Sequence, residues 1–149
     1  MVYGLDLARN AIRKTNKVLV VEGYTDCVMA AQFGFENVVA VLGTALGAEH
    51  VKMLKRCAEK TILLLDGDEA GRKRAREVLH FFVEQAVDMS VLTLPDSAYP
   101  CEFLLDKGAE AFADALENST VDAMEHAFRA ATHGIDLDND VAGATRALD

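Results

Sequence analysis

Four acidic residues, Glu22, Asp26, Asp66 and Asp68, combine a type and a spacing that could do chemistry. Glu22-Gly23-Tyr24-Thr25-Asp26 follows directly on the apolar run Val18 to Val21, and Asp66-Gly67-Asp68 follows Ile62 to Leu65. Asp66 and Asp68 stand two apart, so in extended chain their side chains share one side. Gly67 lets the backbone turn between them without steric cost. Asp26 lies four residues beyond Glu22, across a glycine-containing turn and into the first turn of a helix. Four carboxylates in one pocket repel one another: a pair ~4 Å apart costs ~1 kcal/mol even in water and several-fold more near a protein surface. Divalent cations would offset that repulsion. An oxygen-only donor set suits Mg²⁺ or Mn²⁺ rather than zinc, and two such ions could clamp the oxygens of a phosphoryl transfer. Any one of these acids alone is most simply a helix N-terminal residue. Four of them at the ends of two strands favour a metal centre.

The acids can converge only if their strands lie in one sheet. Four apolar runs, Val18 to Val21, Val38 to Leu42, Ile62 to Leu65 and Val91 to Leu94, do not alternate with polar residues. Strands buried on both faces, as in a parallel sheet covered by helices, read this way. Helical stretches separate them: about Asp26 to Phe33, Glu49 to Ala58, and Glu69 to Ala86 with Ala75, Val78, Leu79, Phe82, Val83 and Ala86 in helical rhythm. Alternating strands and helices predict an open α/β sheet, with ligands at the carboxyl ends of the strands. Asp96 to Pro100 reads as a loop. Beyond it Glu102 to Lys107, Ala109 to Leu116 and Val121 to Ala131 read as helices, broken by Gly108 and by Asn118-Ser119. The polar tail from Thr132 reads as a connector into a further helical region, so the chain is expected to be a piece of a longer protein.

Composition narrows the classes. The chain has 149 residues, 51% apolar and 26% charged, which suits one folded domain and excludes intrinsic disorder. Its net charge is −9, the wrong sign for a protein that grips nucleic acid mainly through a basic surface. Cys27, Cys57 and Cys101 form no CxxC pair and suit buried thiols in a reducing compartment. Early charges at Asp6, Arg9, Arg13 and Lys14 argue against a signal peptide, and no apolar run is long enough to span a membrane. A cytoplasmic protein with no membrane partner is expected.

The ordered motifs are more specific. Glu22-Gly23-Tyr24-Thr25-Asp26, with Asp66-Gly67-Asp68-Glu69-Ala70-Gly71 about forty residues on, resembles the Toprim domain, the topoisomerase–primase fold of metal-dependent nucleic-acid enzymes. Tyr3-Gly4-Leu5, Leu42-Gly43-Thr44-Ala45-Leu46, Leu94-Pro95-Asp96 and Phe103-Leu104 are similar to further segments of the version in bacterial DNA primases, the DnaG family. The resemblance implies a lead-in helix at residues 1–16, a Toprim core of about four mainly parallel strands at 17–95, a C-terminal helical extension at 96–131, and the start of a following helical region at 132–149. It implies primer synthesis: template-directed joining of ribonucleoside triphosphates on single-stranded DNA, with a replicative helicase engaged through a domain absent from this chain. Glu22 matches the family's general acid or base, Asp66 and Asp68 its metal-binding pair, Asp26 an additional metal-site acid, and Gly23, Gly67 and Gly71 its turn and packing glycines. The chain departs from the family at Tyr99-Pro100-Cys101, where an Asp-Pro-Asp motif usually adds two acids.

Arg72, Lys73, Arg74 and Arg76 cluster after the acids and suggest contact with nucleotide or template phosphates, against the simpler reading of a solvated helix face. His50 and Tyr24 read more simply as structural, and Met29, Met53, Met89 and Met124 as core filler. Two alternatives stay open at this point: a Toprim nuclease or topoisomerase fragment, and a receiver-like signalling module accepting phosphate on Asp66. The receiver reading lacks a lysine soon after Leu94, since none occurs before Lys107.

Overall fold

Apolar side chains on both sides of the central strands force helices onto both faces of the sheet. The structure, a computed structural model, describes residues 1–41, 46–65 and 69–132. In chain order the elements are β1 (Val2–Tyr3), α1 (Leu5–Thr15), β2 (Lys17–Val21), α2 (Tyr24–Gln32), β3 (Val38–Val41), α3 (Ala48–Lys55), β4 (Lys60–Leu65), α4 (Glu69–Glu84), β5 (Asp88–Thr93), α5 (Pro100–Asn118), β6 (Val121–Asp122) and α6 (Ala123–Thr132), with a 3-10 turn at Pro95–Ser97. The sheet order is β1-β3-β2-β4-β5-β6.

β2 pairs in parallel with β3 (Leu19 opposite Val38) and with β4 (Val20 opposite Leu63), and β4 pairs in parallel with β5 (Leu63 opposite Val91). Successive residues point to opposite faces. Val18, Val20, Val39, Leu63 and Val91 therefore pack on one side with Ile12 of α1, Leu54 of α3 and Phe82 of α4. Leu19, Val21, Val38, Leu64 and Leu92 pack on the other with Ala30 of α2 and Phe103 and Phe112 of α5. Each fully buried aliphatic side chain of this kind contributes about 1.5–3 kcal/mol, so the strands form the core between two helical layers.

The expected α/β sheet is present, with one addition: two-residue strands β1 and β6 extend the four parallel strands to six among the described residues, both antiparallel. The lead-in thus begins as a strand before it becomes α1. Val121, expected to open a helix, instead pairs with Val91. The segment expected as loop before Pro100 holds the 3-10 turn. Gly108 breaks α5 as expected; its φ of 85° lies in the left-handed region that glycine enters without penalty. Of the methionines expected in the core, Met89 is buried but Met53 and Met124 are exposed. His50 is structural: its Nδ1 accepts the Gly47 N–H at 3.1 Å, closing the start of α3.

Candidate metal centre

β2 is followed by β3 on one side and flanked by β4 on the other. The chain's course reverses there, and a crevice opens beyond the carboxyl ends of the strands. Glu22 is the first residue past β2, and Asp26 lies in the first turn of the helix that follows. Glu22 borders two depressions. One, of 480 Å³, lies on the α4 side, with an apolar wall from Val20, Leu63 and Val78 and the polar side chains of Arg74 and Glu77. The other, of 260 Å³, is shared with Gly23, Asp26, Leu64, Tyr99 and Pro100.

On the α4 side, Arg74 Nη1 donates to Glu22 Oε2 at 2.9 Å, and both side chains are 41% exposed. On the α5 side, the Cys101 backbone N–H donates to Asp26 Oδ1 at 2.9 Å, and Asp26 is only 8% exposed. Burial pushes the Asp26 carboxyl above the usual carboxylate range; the Cys101 N–H pulls the other way, and Glu102 adds a further upward push. Gly23 lets the carboxylate lie close: a Cβ there would stand 2.9 Å from Asp26 Oδ2, so a side chain at 23 would make that carboxylate shift. The Tyr99-Pro100-Cys101 departure therefore sits against the candidate acids, offering a helix N-terminus where the family pattern offers two carboxylates. An N-terminus carries partial positive charge, which suits a buried acid.

Asp66 and Asp68, with Gly67, lie outside the described residues. Among the described residues no three His, Cys, Asp or Glu side chains gather closely enough to hold an ion by themselves. The four basic residues of α4 do not act as one cluster. Arg74 turns to Glu22, Lys73 pairs with Glu77 at 3.8 Å, and Arg72 and Arg76 lie near enough to His126 of α6 to help lower its pKa, after burial. Tyr24 is exposed and meets Tyr3 edge to face, ring centroids 6.4 Å apart. Cys27 is buried, its thiol donating weakly to Val38 O and pushed up in pKa by burial and by Asp26. Sequence reasoning missed the partners of both described acids. The α5 contact had a readable signal: the helix opens with Pro100 at N1 and has no side-chain cap of its own, so its N–H groups need an outside acceptor.

Comparison with known families identifies the fold. The Toprim domain family matches residues 16–93. The chain belongs to the Toprim family. This Toprim domain is 36% identical to the DNA primase of Streptomyces coelicolor over 154 aligned positions, covering 100% of the chain and 24% of that relative. It is similar to the E. coli primase catalytic core with a TM-score of 0.86 and 32% identity, covering 98% of the chain and 47% of the core. It is equally similar to a DnaG primase catalytic domain bound to single-stranded DNA, with a TM-score of 0.86, 32% identity, 99% of the chain covered and 48% of that structure. The Toprim domain thus spans about a quarter of the length of the curated relative and about half of the solved cores. The match decides against a receiver-like module.

Toprim domains of primases bind divalent metal. The residues described here fit such an ion in kind. Glu22 and Asp26 open on one depression, their donors are all oxygen, and the space a Cβ at position 23 would fill is taken by a carboxylate oxygen. Hard cations prefer this donor set. No helix among the described residues is long and apolar enough to cross a membrane.

Proposed function

We propose that this Toprim domain is the metal-binding catalytic part of a bacterial DNA primase. The enzyme would join ribonucleotides on single-stranded DNA by attack of a 3′-hydroxyl on an α-phosphate, with pyrophosphate leaving. The observation that carries the reading is Glu22 at the switch point of a fold similar along its whole length to primase catalytic cores. In this reading Glu22, Asp26, Asp66 and Asp68 hold Mg²⁺ or Mn²⁺. The bound cation supplies charge neutralisation for the triphosphate and for the attacking oxygen. Glu22 is the group positioned to take or return a proton at that oxygen. Asp26, held by the Cys101 N–H, fixes the start of α5 beside the site. Arg72 and Arg76 on α4 are assigned to phosphate contacts of nucleotide or template, with Lys73 at their exposed edge.

Helicase engagement is assigned to regions outside this chain, the Toprim core to residues 17–95, and the place of action to the cytoplasm. With a net charge of −9, the 149-residue chain alone should hold single-stranded DNA weakly at ~150 mM salt. The test is primer synthesis by a longer form that includes the flanking regions found in the relatives. That form should extend ribonucleotides on a template, and Glu22→Gln within it should abolish extension while leaving the circular dichroism spectrum unchanged. Full activity of Glu22→Gln overturns the assignment.

A further inference from the structure

The Glu22–Arg74 contact joins residues 52 apart in sequence. It brings a fixed positive charge onto the acid at the strand end. Its geometry is that of a provisional pair. A well-formed arginine–carboxylate pair uses two parallel N–H···O bonds, whereas the contact here runs from Nη1 to Oε2. Arg74 Nε is buried and has no hydrogen-bond partner among the described residues. Both side chains remain 41% exposed. The 480 Å³ cavity beside them gives the guanidinium room to leave, and Glu77, on the next turn of α4, lines the same space as a second carboxylate. A guanidinium keeps its charge throughout the physiological pH range, so this pair opens by displacement and not by loss of a proton.

We propose that Arg74 is an internal counter-cation that competes with the divalent ion for Glu22. The pair is closed in the metal-free domain and opens when the ion takes the carboxylate. Arg74 is then a positioning residue that limits repulsion at the acidic strand ends before metal arrives and lowers metal affinity by the free energy of the pair. The inference rests on the reading of Glu22 as a metal-site carboxylate.

Mn²⁺ binding, followed by calorimetry and by the electron paramagnetic resonance of free Mn²⁺, tests the competition on the 149-residue chain. Arg74→Ala should bind Mn²⁺ about fivefold more tightly than the wild type, the scale of a half-exposed ion pair. The gain should vanish when Glu22→Gln is present in both proteins. Arg74→Lys, which keeps the charge, should stay near the wild type. Unchanged or weaker binding by Arg74→Ala overturns the competition and leaves the metal centre standing. A gain that persists with Glu22→Gln also overturns it, because Arg74 would then act only through its field. Absence of Mn²⁺ binding in both the wild type and Arg74→Ala overturns the metal-site reading itself, and the competition falls with it. A second measurement needs no substitution: the Arg74 Nε–H resonance should shift during a Mg²⁺ titration with the midpoint of Mg²⁺ binding. A resonance that stays in place while Mg²⁺ binds overturns the proposal.

Discussion

The two acids that flank the switch point are held by different means. Asp26 is buried and held by a backbone N–H at the start of α5, whereas Glu22 is half exposed and held by a long side chain from α4. A backbone donor cannot turn away without moving its helix. An arginine can leave through a few side-chain torsions. The difference separates an acid tied to a helix start from an acid whose partner can exchange, although they stand only four positions apart in sequence.

Asp26→Ala gives the largest expected effect. It leaves the Cys101 N–H without its acceptor next to Pro100, and should cost about 2 kcal/mol in denaturant unfolding. Asp26→Asn keeps an acceptor oxygen and removes a charge that burial opposes, so it should stay within about 0.5 kcal/mol of the wild type. Equal losses for the two would mean that the carboxylate charge, and not the hydrogen bond, ties α5 to the site. Arg74→Ala, in chelator, should cost less than about 1 kcal/mol, and the loss should shrink further between low and high salt because the pair is half exposed. A loss as large and as insensitive to salt as that of Asp26→Ala would erase the contrast.

The smallest effect is expected on the other side of α4, where like charges meet. Burial and the cations of Arg72, Arg129 and Arg76 hold the His126 pKa below its ordinary 6.5. The folded protein therefore binds this proton less readily than the unfolded chain. The contribution is fully present above pH 6.5 and is lost as the pH falls toward the lower folded value. Replacing His126 with Gln should flatten the decline of the melting temperature between pH 7 and pH 5. An unaltered slope would assign the acid sensitivity to other groups.

Much of the scaffold was legible because of its burial. β2 to β5 are buried on both faces, and that burial is written in the chain as continuous apolar runs. β1 and β6 were not legible, since two residues carry no periodicity and exist as strands only through their partners β3 and β5. Val121 illustrates the limit: its apolar character fits a helix face and a strand equally, and pairing with Val91 decides between them. Glu22 and Asp26 were legible from their position just after an apolar strand. Their partners were not. Arg74 is one of four basic residues in a run of five, and only the helix rotation shows which of them turns toward Glu22. The Cys101 donor is a backbone group, so no side-chain pattern announces it.

The distance in sequence between each acid and its partner has a consequence for the order of assembly. Arg74 follows Glu22 by 52 residues and Cys101 follows Asp26 by 75. Chains are made from the N-terminus, so β2 and α2 leave the ribosome before either compensating group exists. Contacts this far apart form only after long loops have closed, which makes them slow relative to local helix formation. Arg74 reaches Glu22 only with α4, and the Cys101 N–H reaches Asp26 only with the later α5. During synthesis the strand end therefore lacks both of these contacts until the two helices dock, and Asp26 gains its donor later than Glu22 gains Arg74.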